Sequence, residues 1–363
     1  MSIVKKPSLT LLLISTFLWA SAQDYPAVEI PGSHTRTLHS EIVNQEYTLQ
    51  INLPNGYQDS NEKYGVVYLL DSQWDFPLMH AIYGEQYFDG FLPSLIIVGI
   101  TWGGEGADPN LLRARDYSPS YVSTVPQSGG ADAFLAFLKE ELTPFIEKEY
   151  RVKKNDRTLI GSSLGGLFTF YATFRAPGFF QRCIPSSPAV GWDSGLIFDI
   201  EESFSQKNKK LNTRLYTVVG GLESSVPDFN RFVENLKSRN YKGFEFEAKI
   251  MAGMGHSGCK AEGNTRGMQF VYQRNKFPIA ARQLPDYIGD FRSDNDRFSI
   301  INENGVLYFV DLFGNRLKLQ AETSTKFYHP GRFLNLEFKR NENDEFASCT
   351  LHRYGSSTEY KKL

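Results

Sequence analysis

Three residues far apart in the chain, Ser163, Glu223 and His256, are of the types that acyl transfer to a serine requires: nucleophile, acid and base. Ser163 lies in Gly161-Ser162-Ser163-Leu164-Gly165-Gly166. Ser162 competes for the role in the same turn, but only Ser163 has a glycine two residues away on each side. Of the six histidines, His34 and His39 fall on an N-terminal hairpin, and His329 and His352 fall in a β-rich C-terminal region. His80 precedes the serine on an expected helix. Only His256 follows a core strand, in the glycine-rich loop Gly253-Met254-Gly255-His256-Ser257-Gly258. The acid should follow the strand between serine and histidine. Glu223, just after Gly220-Gly221, is favoured over Asp228, which stands at a helix start where Asp caps backbone donors. The developing oxyanion needs two backbone N–H groups. Leu164 supplies one by position, and Gln73 or its neighbour Ser72 the other.

The elements around these residues are those that such chemistry needs. Arg157 to Ile160 reads as a short buried strand, and Leu164, Leu167, Phe168, Phe170 and Tyr171 recur at helical spacing after the turn. Strand, G-x-S-x-G and helix together are the context of a nucleophile elbow, with the serine at its tip. Val66 to Leu70 and Ser94 to Ile100 are continuously apolar, as strands covered on both faces are. Further strands are expected at 35–42, 46–53, 180–185, 214–219 and 244–251. Helices are expected from Trp74 to Tyr87, over 131–150 with Pro144 kinking it, and over 197–204, 228–239 and 262–272. Glu105 to Gly130 reads as a long loop. This alternation predicts an α/β fold with a mostly parallel sheet, whose ligands bind beyond the carboxyl ends of the strands. Gln73, Ser163, Glu223 and His256 each follow such an end. Trp74, Trp102 and Trp192 do so too, which suggests an aromatic rim for an aryl or apolar acyl group or a sugar ring.

Beyond Pro285 short alternating runs separated by turns such as Asn304-Gly305 predict a second, antiparallel β domain. The expected division is a leader over 1–22, an α/β domain over 23–284 and the β domain over 285–363. The leader has Lys5 and Lys6, an apolar stretch from Leu9 to Trp19, and Ala20-Ser21-Ala22 as a cleavage site. That stretch is shorter than the roughly 20 residues a membrane span needs, so export to a periplasm or beyond is expected, without membrane insertion.

With 363 residues and a formal charge of −2, the chain has ample length for a core and no electrostatic footprint for nucleic acid. No H-E-x-x-H or paired-cysteine pattern predicts a metal, and Gly103-Gly104-Glu105-Gly106 lacks what a nucleotide loop requires, so no cofactor is expected. Cys183, Cys259 and Cys349 are too few and scattered for a disulfide framework; a Cys183–Cys259 pair is the one bridge to consider.

The run Val66-Val67-Tyr68-Leu69-Leu70-Asp71, the segment Ile97-Val98-Gly99-Ile100 with Arg115-Asp116-Tyr117-Ser118-Pro119, the elbow, and Gly255-His256-Ser257 resemble the putative-esterase family. This is the esterase D or antigen 85-like group of α/β-hydrolases, which includes feruloyl and siderophore esterases. The resemblance runs from about Thr35 to Tyr272. It implies Ser163 as nucleophile, Glu223 as acid, His256 as base, and the Gln73 and Leu164 amides as oxyanion hole. Some siderophore esterases of the group work with a Ser–His dyad, which bears on Glu223. Many members have Gly where this chain has Ser72, and Arg115-Asp116-Tyr117 looks like a structural signature. The segment from Tyr287 resembles the lipocalin-like domain appended to some exported serine hydrolases, which suggests a part in substrate choice or in homodimer contacts. The expectation is an exported serine carboxylic-ester hydrolase working through an acyl-enzyme on carbohydrate-linked feruloyl or acetyl esters. Siderophore trilactone hydrolysis is the alternative, and a non-catalytic binding protein on a hydrolase fold is the reading from another class.

Overall fold

The computed structural model describes residues 28–353 and 356–363. The expected leader, 1–22, lies outside them. The central sheet has eight strands in the order β1-β2-β4-β3-β5-β6-β7-β8. These are β1 (Ser33–Ser40), β2 (Gln45–Asn52), β3 (Tyr64–Leu69), β4 (Leu95–Trp102), β5 (Val152–Ser162), β6 (Arg182–Ser186), β7 (Lys210–Gly220) and β8 (Lys242–Met251). The first two form an antiparallel hairpin that joins β4 antiparallel, and every pairing from β4 through β8 is parallel. The continuously apolar β3 and β4 are buried at every position, because helices cover both faces of the sheet there. A mostly parallel α/β sheet is what the alternation predicts.

Strand order reverses around β3: the chain steps to β4 on one side and later to β5 on the other. A crevice opens at such a switch point, outside the carboxyl ends of the two strands. Asp71 to Gln73 follow β3 and Ser163 follows β5, so the crevice lies between the expected oxyanion turn and the expected nucleophile.

Two local readings need correction. The stretch 105–130 is not all loop, since Pro109–Tyr117 is helical. Asp108 caps it by accepting a hydrogen bond from the Asn110 N–H at 2.8 Å, and Pro109 occupies the first turn, where its missing donor costs nothing. The helix expected over 131–150 is interrupted by a π-helical segment, Leu138–Leu142, before it resumes at Thr143 with Pro144 in the new first turn. Cys183, Cys259 and Cys349 are all free and buried, so Cys183 and Cys259 do not pair.

The separate antiparallel sheet expected at the C-terminus has nine strands, from Gly289–Arg292 to Ser356–Lys362. Its own core includes Tyr287, Phe291, Phe298, Phe309, Phe338 and Phe346, each such side chain adding about 2 kcal/mol on burial. Both sheets belong to one compact unit, Gly32–Leu363. Arg274, just after the last helix of the first sheet's layer, lies over the Tyr328 ring, and the Phe277 N–H donates to the Ala321 carbonyl. Among the described residues no helix is long and apolar enough to cross a membrane.

Candidate active site

Ser163 sits between the end of β5 and the helix Leu164–Arg175, with φ 59° and ψ −117°. That backbone is costly for a residue with a Cβ, and such strain concentrates where a side chain must be presented. The turn closes because Gly161 has no side chain: a Cβ there would lie 2.3 Å from the Gly165 carbonyl oxygen. Gly166 likewise admits the next strand's turn, with Pro188 Cα and the Ser186 carbonyl 3.0 Å from where its Cβ would be. Ser162 is the last residue of β5 and is buried, whereas Ser163 is half-buried at the apex.

His256 lies in the loop after β8, and its Nδ1 is 2.6 Å from Glu223 Oε2. Glu223 follows β7, where its Oε1 accepts hydrogen bonds from the Gly220 N–H at 2.7 Å and the Ser187 hydroxyl at 2.6 Å. Burial pushes its carboxyl pKa up, but the hydrogen bonds from His256, Ser187 and Gly220 outweigh that and hold it below the usual carboxylate range. An ionised Glu223 fixes the imidazole with Nδ1–H donating, which leaves Nε2 to take a proton. Asp228, the rival acid, is half exposed in the first turn of the helix Val226–Ser238 and pairs with Arg231 at 3.3 Å.

Ser163 and His256 line one cavity of about 450 Å³, together with Trp74, Leu78, Arg113 and Lys260. A larger groove of about 890 Å³ on the C-terminal sheet is lined by residues of mixed charge such as Arg292, Asp296 and Glu359. No residue of the Ser–Glu–His set lines it.

The two residues whose N–H groups are expected to face an oxyanion, Leu164 and Gln73, stand at two helix starts, and neither is among the residues that line the cavity. Leu164 is the first residue of the elbow helix, whose ladder begins with the Leu167 N–H donating to the Ser163 carbonyl. In the helix Ser72–Phe88 the ladder begins at Trp74, whose N–H donates to the Asp71 carbonyl, so Ser72 and Gln73 precede it. Asp71 holds a left-handed backbone at φ 54°. Ser72 in place of Gly is accommodated by Gly99 of β4, whose own Cβ would lie 2.7 Å from Ser72 Cβ.

The aromatic rim is smaller than expected. Trp74 is 49% exposed and lines the cavity, with the Arg113 guanidinium 5.7 Å from its ring centre. Trp102 belongs to the core instead: it is the last residue of β4, opposite Tyr47 of β2, and its Nε1–H donates to Asp116 Oδ2 at 2.7 Å. Trp192 packs against the same core and donates to the Ser120 hydroxyl at 3.1 Å. A position after a strand places a residue at the rim but does not aim its side chain.

Sequence reading missed Arg113 and Lys260. Arg113 grips Asp71 with two hydrogen bonds, at 2.9 and 2.8 Å, and reaches the Ser162 carbonyl at 3.4 Å. It thereby ties the turn before Gln73 to the turn before Ser163. Lys260 binds Asp75 at 2.8 Å across two helices. The signature that follows is structural, as expected: Asp116 accepts from Arg115, Tyr47 and Trp102. Arg113 stands two residues before that signature, and this proximity was the only signal for it.

A family model described as Putative esterase matches residues 40–297. The chain is 32% identical over 226 residues to ferri-bacillibactin esterase BesA of Bacillus subtilis, covering 58% of this chain and 77% of that protein. It is 27% identical over 188 residues to a siderophore triacetylfusarinine C esterase of Aspergillus fumigatus, covering 50% of this chain and 64% of the relative. Among solved structures, the BES protein from Bacillus cereus superposes with a TM-score of 0.62 at 27% identity, over 69% of this chain and 99% of that one.

Proposed function

We propose, since this chain belongs to the putative esterase family, that it is an exported serine esterase that opens the lactone esters of siderophores. Membership fixes the class, a carboxylic-ester hydrolase of the serine type. The observation that carries the mechanism is the shared cavity of Ser163 and His256 with Glu223 bound behind the imidazole. In this reading Ser163 Oγ attacks the ester carbonyl carbon while its proton passes to His256 Nε2. The carbonyl oxygen becomes an oxyanion held by the Leu164 and Gln73 N–H groups. As the intermediate collapses, the C–O bond to the alcohol breaks and His256 returns the proton to the leaving oxygen. Water, deprotonated by the same nitrogen, then hydrolyses the acyl-enzyme. The Glu223 carboxylate stabilises the imidazolium at both stages.

For the substrate, likeness to two named siderophore esterases favours a lactone over a carbohydrate-linked acyl ester. Arg113 and Lys260 at the cavity fit an anionic ferric catecholate, although each is already paired with a carboxylate. The test is purified enzyme and its Ser163→Ala variant, assayed on a ferric catecholate trilactone and on a feruloylated sugar. Faster serine-dependent release from the lactone supports the reading; faster release of ferulate returns it to the carbohydrate ester. Full activity in Ser163→Ala, or no labelling of Ser163 by a fluorophosphonate, would remove the serine mechanism.

A further inference from the structure

The turn after β6, Ser186-Ser187-Pro188-Ala189, reaches the nucleophile and the acid at once. The Ser163 N–H donates to the Ser186 carbonyl, and the Ala189 N–H donates to the Ser163 carbonyl, both at 3.0 Å. The Ser187 N–H donates to the Val218 carbonyl of β7 at 2.7 Å, and the Ser187 hydroxyl donates to Glu223 Oε1 at 2.6 Å. Behind Ser187 stands Cys259, with Sγ 3.0 Å from Ser187 Oγ and 3.3 Å from the His256 carbonyl oxygen.

A carboxylate only accepts, so the Ser187 proton is committed to Glu223. Cys259 is fully buried, and burial pushes its thiol pKa up, so it remains a donor toward Ser187 Oγ or the His256 carbonyl. With two donors on Oε1, the Oε2 lobe of Glu223 is left facing His256 Nδ1.

The backbone makes the hydroxyl more informative. Ser187 has φ 41°, in the left-handed region that glycine adopts freely and other residues adopt at a cost. It is 2% exposed and does not line the cavity, so contact with solvent or substrate does not explain a side chain there.

We infer that Ser187 is a positioning residue, whose hydroxyl, seated by Cys259, fixes the Glu223 carboxylate and through it the His256 ring. The inference rests on the Ser163–His256–Glu223 mechanism proposed above. Titratable or charged groups around Glu223 are His256 from the loop after β8, and Cys259 with its neighbour Lys260 from the helix Cys259–Val271.

The test uses the full chain with Ser187→Gly, Ser187→Ala and Ser163→Ala, measuring kcat, KM, the pH profile of kcat/KM on p-nitrophenyl acetate, and Tm. Ser187→Gly relieves the backbone while deleting the hydroxyl. Its kcat is expected to fall about ten- to a hundredfold, the worth of a hydrogen bond to a charged group, with Tm kept and KM within about twofold. The acid limb of the profile moves to higher pH, because a carboxylate with one donor fewer binds its proton more readily. Ser187→Ala shows the same shift of the limb. Wild-type kcat in Ser187→Gly beside an inactive Ser163→Ala overturns the role of Ser187 and leaves the serine mechanism standing. A fall in kcat with an unmoved acid limb in both Ser187 variants also overturns it, because loss of local packing alone gives that pattern. Activity in Ser163→Ala instead overturns the mechanism itself.

Discussion

Glu223 Oε2 stands 2.6 Å from His256 Nδ1, while Asp228, five residues later, is half exposed beside Arg231. The chain thus has a built partner for its imidazole, which a bare Ser–His dyad lacks. Glu223→Gln is expected to lower kcat by about 10² to 10⁴, because the neutral amide neither stabilises an imidazolium nor enforces the tautomer. Asp228→Asn should stay within about twofold. Steady-state kinetics on p-nitrophenyl acetate checks both; equal losses would remove Glu223 from the role.

Acid should act on the same carboxylate. Its folded pKa is held below the ordinary 4.5, so its ionised form contributes stability that is complete above that value and is lost as pH falls through the folded pKa. Urea titrations of wild type and Glu223→Gln from pH 3 to pH 7 should therefore show the wild type's relative stability declining only below about pH 4.5. A difference between the two that grows toward low pH contradicts this.

The buried bidentate pair Arg113–Asp71 holds the two turns of the crevice together. Arg113→Ala strands an acid that is 2% exposed and is expected to cost about 3 kcal/mol of unfolding free energy. Arg113→Ala with Asp71→Asn should recover part of that loss, since the second change removes the unpaired charge. A double-mutant cycle by urea denaturation measures the coupling.

Gly161→Ala places a Cβ 2.3 Å from the Gly165 carbonyl oxygen, and backbone cannot yield as a flexible side chain does. The expected cost is about 3 kcal/mol, read as a lower Tm and a lower kcat because the elbow must open. Gly255→Ala, in the histidine loop, meets nothing within 4 Å and should be tolerated far better.

Trp74 and Trp102 separate rim from core. Trp74→Ala should raise KM for aryl esters several-fold with stability nearly unchanged, since the side chain is half exposed at the cavity. Trp102→Ala should instead cost about 3–5 kcal/mol, through lost packing and the Asp116 hydrogen bond. Paired KM and Tm measurements distinguish the two.

Features that depend on local patterns were legible in the amino-acid order alone. Continuous apolar runs marked β3 and β4, helical spacing after Gly161-Ser162-Ser163 marked the elbow, and the order of Ser163, Glu223 and His256 followed from which residues trail strand ends. The alternating runs beyond Pro285 marked a second sheet, because a period of two is written in the residues themselves. Contacts across the sheet form only when distant segments pack together. Arg113 lies on a helix that read as loop, and its partner Asp71 is 42 residues away. Ser187 meets Glu223 on one side and Cys259 on the other only because β6, β7 and β8 align their ends. Trp74, in the helix that follows β3, faces the cavity, whereas Trp102, the last residue of β4, faces the core. A side chain's direction depends on the neighbours that pack around it, and in a parallel sheet those neighbours come from distant parts of the chain.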